Sequence, residues 1–324
     1  MKSMAKWLMA GAVLFLSFGL LGCCPKEESK ALPGGAASKK RHRVALIMKT
    51  LSNPFFISMQ EGAERAAEEL NVDLITLAQP KETDADKQLD NIENMIAEKV
   101  DALLVAPADS KAVVAPLMKA QKAGLLVINI DNRIDPETAK AKGFSCPYIG
   151  ADNEEGGYLA GKHLAKLLGG KGKVVILEGI RGVDNAEARR RGFEKAMAEH
   201  KDITIVDKQT ANWDMMQGMD VFANMLASQP DIQGLFCAND MMALGAVRAI
   251  DEAKKTGQIY VVAYDNLKEA QVEIKKGTLH GTIEQHPDLM GGWGVRKAVE
   301  ALEGKEIEKE ILVTLELITA ESFE

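Results

Sequence analysis

The sequence predicts an α/β protein of two doubly wound parallel-sheet lobes joined by a multi-stranded hinge. Three observations carry this. Apolar, β-rich runs recur about every 30 residues with amphipathic helical segments between them, the rhythm of a βα unit. The strand ends echo one another between halves, Ile130-Asp131-Asn132 in the first and Tyr264-Asp265-Asn266 in the second. Gly281 to Glu324 hold more strand and helix than the second half alone can use, so the chain must cross back between the lobes.

In chain order, Lys2 and Lys6 precede an uncharged stretch from Trp7 to Cys24, a charged n-region and apolar h-region of secretory type. The stretch ends in Leu20-Leu21-Gly22-Cys23, similar to the bacterial lipobox, in which the thiol is lipidated and becomes residue one after cleavage. Residues 1–23 are therefore read as a lipoprotein signal peptide; an ordinary signal peptide or an uncleaved helix is the alternative. Residues 24–41 have no apolar periodicity and read as a flexible tether. First-half strands are expected near Val44, Val72, Ala102 and Leu125, and second-half strands near Val174, Ile203, Gly234 and Tyr260. Their continuous apolar runs suit strands buried on both faces. Gln60 to Leu70 reads as an amphipathic helix between the first two. Then come a strand at Gly281–Glu284, a helix from about Asp288 to Leu302 and an apolar run at Ile311–Ile318, with hinge crossings near Gly150, Gln285 and Val313. The N-terminal lobe is expected to hold residues 42–150 and 286–313, the C-terminal lobe 151–285 and 314–324.

Composition bounds the function. The 324 residues are 46% hydrophobic and 27% charged, which excludes a disordered, collagenous or multi-spanning membrane protein. Seven of the 40 basic residues and two of the 47 acidic ones lie in residues 1–41, leaving 33 against 45 and a formal net charge of −12 on the body. Nucleic acid as a partner is excluded by that charge, since phosphate neutralisation needs a basic face. Cys146 and Cys237, far apart in sequence, make no disulfide framework. They form one bridge in an oxidising compartment or, the better-supported reading, stay two small buried hydrophobes.

Catalytic constellations are missing. The five His residues show no metal-ligand spacing and no G-x-S-x-G elbow is present. Gly169-Gly170-Lys171-Gly172-Lys173 lacks the order of a phosphate loop and precedes a strand, so it reads as a helix-to-strand turn. What the strand ends offer is planar polar groups beside aromatics. In Lys49-Thr50-Leu51-Ser52-Asn53-Pro54-Phe55-Phe56, Asn53 caps a helix with Pro54 at its first position, and that cap fixes where Phe55 and Phe56 point. Ligands in open α/β sheets bind beyond the carboxyl ends of the strands, which gathers these residues with the two Asp-Asn pairs.

That segment, with Asp131-Asn132, Ala188-Arg189-Arg190-Arg191-Gly192, Ala211-Asn212-Trp213-Asp214, Cys237-Ala238-Asn239-Asp240-Met241-Met242-Ala243-Leu244-Gly245 and Thr282-Ile283-Glu284-Gln285, resembles the periplasmic ribose- and allose-binding proteins in order and spacing, from about Arg43 to Thr319. The resemblance implies a bilobal, Venus-flytrap solute-binding protein that closes on a monosaccharide and delivers it to the membrane permease of an ABC transporter, with no cofactor and as a monomer. It also implies the site. Asn53, Asp131, Asn132, Arg189, Asn239, Asp265 and Gln285 would hydrogen-bond sugar hydroxyls. Phe56 and Trp213 would sandwich the ring, Phe55 and Tyr264 would stand behind them, and Lys49 with Arg189 would balance the carboxylates. Ribose binders carry Arg where Asn132 stands and tend to have Phe in place of Trp213, so the pattern leans towards a hexose, D-allose first. A pentose, polyol or inositol, and a sensor feeding a chemoreceptor, are the alternatives. A repressor of the lactose type would need a DNA-binding segment before Val44, where the leader and tether stand. A sugar-processing enzyme would need a placed acid/base pair, for which Asp131 and Asp265 are the candidates.

Overall fold

The computed structural model describes residues 41–324, which build two six-stranded sheets of matching order. The leader, Cys23 and the tether up to residue 40 lie outside the described residues. The first lobe contains β1 (Arg43–Thr50), α1 (Pro54–Leu70), β2 (Asp73–Gln79), α2 (Ala85–Ala97), β3 (Ala102–Val105), α3 (Val114–Lys122), β4 (Leu126–Ile130), α4 (Pro136–Lys142) and β5 (Tyr148–Gly150). The second repeats the plan with α5 (Asn153–Leu167), β6 (Lys171–Glu178), α6 (Asp184–Ala198), β7 (Asp202–Thr210), α7 (Met215–Ser228), β8 (Gly234–Cys237), α8 (Asp240–Glu252), β9 (Tyr260–Tyr264), α9 (Lys268–Lys276) and β10 (Gly281–Glu284). The chain then returns through α10 (Pro287–Leu302) and β11 (Glu310–Leu312) to the first lobe and ends in β12 (Glu316–Ile318) and a 3₁₀ turn, Ala320–Phe323, on the second.

The sheet orders are β2-β1-β3-β4-β5-β11 and β7-β6-β8-β9-β10-β12. All pairings are parallel except β10 with β12. In this order the connections reverse direction between β1 and β3, and again between β6 and β8, which opens a crevice at the carboxyl edge of each sheet. The apolar run at Ile311–Ile318, one strand by composition, is two short strands interrupted at Val313–Leu315, each pairing with a different sheet. Cys146 and Cys237, the two cysteines among the described residues, are free thiols; Cys237 is fully buried, and burial pushes the pKa of the half-buried Cys146 up to about 12.

Helix starts follow local chemistry. Asn53 caps α1 by accepting from the Phe55 N–H at 3.1 Å, and Pro54 occupies the first turn, where no intrahelical N–H is needed. The buried face of α1 runs through Phe55, Phe56, Met59, Gly62, Ala63, Ala66 and Ala67, the spacing of a helix against a sheet. Its other contact is α10, which approaches so closely that a Cβ on Gly62 would overlap the Asp288 carbonyl oxygen and one on Gly291 the Met59 carbonyl oxygen. That crossing fastens the returning helix to the first lobe.

Gly291→Ala separates packing from propensity, since alanine inside a helix favours stability by about 1 kcal/mol whereas forcing a methyl against backbone costs about 1–3 kcal/mol. Urea denaturation is expected to show a net loss for Gly291→Ala; a gain would mean the helices are free to move apart.

Candidate ligand-binding site

The carboxyl ends of both sheets face one another across a narrow, partly open space between the lobes. From the first lobe it is lined by Lys49 at the end of β1, Asn53, Phe55 and Phe56 at the start of α1, Glu82 after β2 and Asp131 after β4. From the second come Asn185 and Arg189 on α6, Trp213 after β7, Asn239 at the cap of α8, Asp265 after β9 and Gln285 after β10.

Backbone geometry aims several of these. Asp131 (φ 60°), Trp213 (φ 65°) and Asp265 (φ 117°) have positive φ, sparsely populated for residues with a side chain, and each turns sharply at its strand end. The Tyr148 hydroxyl donates to the Asp131 carbonyl at 2.7 Å, and the Trp213 ring fits only because Gly179 has no Cβ to overlap it.

The charges are paired within the site. Lys49 Nζ lies 3.8 Å from Asp131 Oδ2 and 4.0 Å from Glu82 Oε2. Asn53 donates to Glu82 at 3.0 Å while its own oxygen caps α1, so capping and site duty coexist in one side chain. Arg189 donates to Asn153 Oδ1 and the Ala238 carbonyl, both at 2.8 Å, and reaches Asp265 Oδ1 at 3.5 Å. Gln285 donates to the same Asp265 oxygen at 2.7 Å. Burial raises the carboxyl pKa of Glu82, Asp131 and Asp265 above the ordinary range, against the opposing pull of Lys49 on the first two and of Arg189 on all three. Both cations also face aromatic rings: Lys49 sits 5.9 Å from the Phe56 centroid and 5.8 Å from that of Trp213, and Arg189 lies 3.7 Å over Tyr264.

Four buried polar atoms of lining residues have no hydrogen-bond partner among the described residues: Asp131 Oδ2, Asn185 Oδ1, Trp213 Nε1 and Gln285 Oε1. A buried group left so costs about 1–3 kcal/mol. Three accept and one donates, which matches a ligand rich in hydroxyls.

Residues 44–306 match the family model of the periplasmic binding protein domain. The chain belongs to the periplasmic binding protein family. It is 39% identical to the D-ribose/D-allose-binding protein of Pseudomonas aeruginosa over 88% of this chain and 91% of that one. To the D-allose-binding periplasmic protein of Escherichia coli it is 34% identical, covering 79% and 83% respectively. Among solved structures, an ABC transporter periplasmic solute binding protein from Actinobacillus succinogenes with bound D-allose superposes with a TM-score of 0.82 at 42% identity, over 87% of this chain and 98% of that one.

Ten of the twelve site residues expected from the sequence line the space. Asn132 does not: it is fully buried, and its amide is committed to the Pro107 carbonyl at 2.9 Å, Ser110 Oγ at 3.1 Å and the Asn185 N–H at 3.1 Å. Tyr264 stands one layer back, its ring beneath Arg189 and beside Gly156. Two residues were missed, Glu82 and Asn185. Glu82 follows the carboxyl end of β2, where the strand-end rule applied to the second strand finds it, and Asn185 lies four residues before Arg189, on the same face of α6.

Behind the site Asp240, fully buried, accepts from Thr282 Oγ1 at 2.7 Å and from the Leu267 N–H at 2.8 Å, tying α8 to the loop that carries Asp265 and to β10. Burial pushes its pKa up from 3.8 to about 7. The folded protein therefore holds this proton more tightly than the unfolded chain. Relative to the protonated form, stability is intact below about pH 4 and falls as pH rises through the window to about 7. Asp240→Asn keeps a neutral side chain able to serve both partners. Its Tm is expected to match the unaltered protein near pH 4 and exceed it by roughly 4 °C or more near pH 8; parallel Tm profiles would show that this carboxyl does not titrate in the window.

Proposed function

We propose that this chain captures a neutral monosaccharide between its lobes and presents it to the permease of an ABC transporter. The observation that carries this is the set of four buried polar atoms without hydrogen bonds, on residues from both lobes that line one narrow space between them. Sugar hydroxyls complete them. Asp131, Asn53 and Glu82 serve one edge of the ring; Asn185, Arg189, Asn239, Asp265 and Gln285 serve the other. Phe56 and Trp213 cover its C–H faces, with Phe55 packed edge-on against Phe56 at 5.0 Å. Because each lobe holds half of the contacts, the sugar has full affinity for the closed form alone and shifts the population towards it. D-Allose is the first candidate, supported by the names of the relatives and by the acceptor-rich lining; D-ribose is the second.

The protein works outside the cytoplasmic membrane, as a monomer, tethered through a lipid on Cys23. That reading rests on the lipobox-like Leu20-Leu21-Gly22-Cys23 and the polar segment behind it. Lys2 and Lys6 leave with the leader, so the mature body is acidic.

Thermal shift and intrinsic fluorescence against D-allose, D-ribose and myo-inositol, with recovery of the sugar unchanged, test the function. Stabilisation by D-allose is expected. Asp131→Ala should weaken binding by about 30-fold or more, and Trp213→Ala should abolish the fluorescence change. If no neutral sugar or polyol raises Tm, the ligand class is wrong. In the full chain expressed in bacteria, Cys23→Ser is expected to block incorporation of labelled palmitate and release the protein from the membrane fraction; unchanged labelling would remove the anchor from Cys23.

A further inference from the structure

Helix α6 carries two of the lining residues, Asn185 and Arg189, yet it lacks a cap of its own. Its cap position is Val183, in extended conformation (φ −87°, ψ 130°), with no side-chain oxygen to accept from the first turn. Other helices cap themselves, among them α1 through Asn53, α5 through Asp152, α7 through Asp214 and α8 through Asn239, whereas α2, α9 and α10 have no side-chain cap. The first N–H groups of a helix have no intrahelical partner, and leaving them buried and unpaired is costly. In α6 two of them are satisfied from the other lobe. The Asp184 N–H donates to Ser110 Oγ and the Asn185 N–H to Asn132 Oδ1, each at 3.1 Å. Ser110 and Asn132 are in turn joined by a 3.1 Å hydrogen bond, and Asn132 is anchored to the Pro107 carbonyl. The Asn132–Asn185 bond is buried and the Ser110–Asp184 bond partly so, with Ser110 1% and Asn132 0% exposed.

We propose that Ser110 and Asn132 are a closure latch: they cap α6 in trans when the lobes meet, and so set the affinity for every sugar without reading which sugar is bound. The inference rests on the sugar-binding reading of the site. Its chemical logic is that water caps α6 in the open form and the first lobe does so in the closed form, while Asn185 couples the two events. The backbone of Asn185 makes the latch, and its side-chain oxygen faces the ligand space. Asn132 thereby has a positioning role, where the family resemblance had implied a contact with sugar.

The test uses Asp184→Pro, because proline is accommodated in the first helical turn and its predecessor Val183 is already extended. This removes the N–H and sets the ring Cδ where the hydrogen pointed, against Ser110 Oγ; Ser110→Ala takes that oxygen away and leaves the ring room. Asp184→Asn is the reference, since it loses the carboxylate and keeps the N–H. Fluorescence titration of the full chain with D-allose and D-ribose is expected to show affinity for both falling by the same factor, roughly 3- to 10-fold, from Asp184→Asn to Asp184→Pro. Ser110→Ala should lower both affinities in proportion, and adding Asp184→Pro to Ser110→Ala should cost little more, because the bond that Asp184→Pro removes is already lost in Ser110→Ala. A changed ratio between the two sugars, or full additivity, would overturn the latch. So would affinities equal to those of Asp184→Asn. If the unaltered protein binds neither sugar, the sugar reading fails, and the latch is decided without ligand by the rate at which a disulfide forms between one cysteine placed on each lip of the cleft, a rate that reads even a minor closed population. Slower formation in Asp184→Pro than in Asp184→Asn supports the latch, and equal rates overturn it.

Discussion

Five ionisable side chains, Lys49, Glu82, Asp131, Arg189 and Asp265, are withdrawn from water into one small space between the two sheets, and the arrangement around them follows from that constraint. A buried charge without a partner costs several kcal/mol, and even a paired one recovers that cost only when its remaining hydrogen-bonding positions are satisfied. Lys49 is therefore shared between Asp131 and Glu82, and Arg189 is held by three oxygen acceptors over the face of Tyr264. Three carboxyls against two cations leave the space short of donors. Desolvation raises all three carboxyl pKa values against the pull of the cations. Hydroxyl donors relieve it, whereas a carboxylate or phosphate on the ligand would deepen it, so a neutral polyhydroxylated ring is the chemistry this lining accepts.

Holding such a set at hydrogen-bond tolerance demands a stiff frame. The contacts are placed at the ends of strands whose residues are almost wholly buried, such as Val44 to Met48 and Val174 to Leu177, so the sheet cannot shift to accommodate a poor fit. The strain at Asp131, Trp213 and Asp265 is about 1–3 kcal/mol per residue, and it is maintained by tight local packing, with Gly179 against the Trp213 ring and Tyr148 bonded to the Asp131 carbonyl. Asp240 adds a second layer by joining three of the segments that carry second-lobe contacts.

The sheets were legible in the sequence because buried parallel strands write themselves as continuous apolar runs, as Val44-Ala45-Leu46-Ile47 and Val174-Val175-Ile176-Leu177 do. Short strands do not. Tyr148-Ile149-Gly150 offers too few residues for a period, and the break between β11 and β12 depends on which sheet each meets, information that no local window contains. In the site, Asn53 and Asp265 stood at strand ends with recognisable turn chemistry. Asn132 misled for the same reason: adjacent residues at a strand end point in different directions, and the positive φ of Asp131 turns the next side chain away from the cleft. Asn185 was invisible because its importance comes from an orphan oxygen that only the opposing lobe encloses.

The balance of closure follows from comparing magnitudes. Two backbone-to-side-chain hydrogen bonds across the cleft contribute a net of about 0.5–1.5 kcal/mol each. Closing over five ionisable groups and four polar atoms without hydrogen bonds costs more than that, since each buried atom left so accounts for about 1–3 kcal/mol. The lobe contacts thus cannot hold the protein shut without ligand, and the sugar's own hydrogen bonds must supply the difference. That weakness serves selectivity. A much stronger grip on α6 would populate the closed form irrespective of the ligand, and a ring with one hydroxyl misplaced would then be retained almost as well as the right one. With closure left uphill, every orphan atom that a wrong epimer fails to satisfy counts directly against its binding.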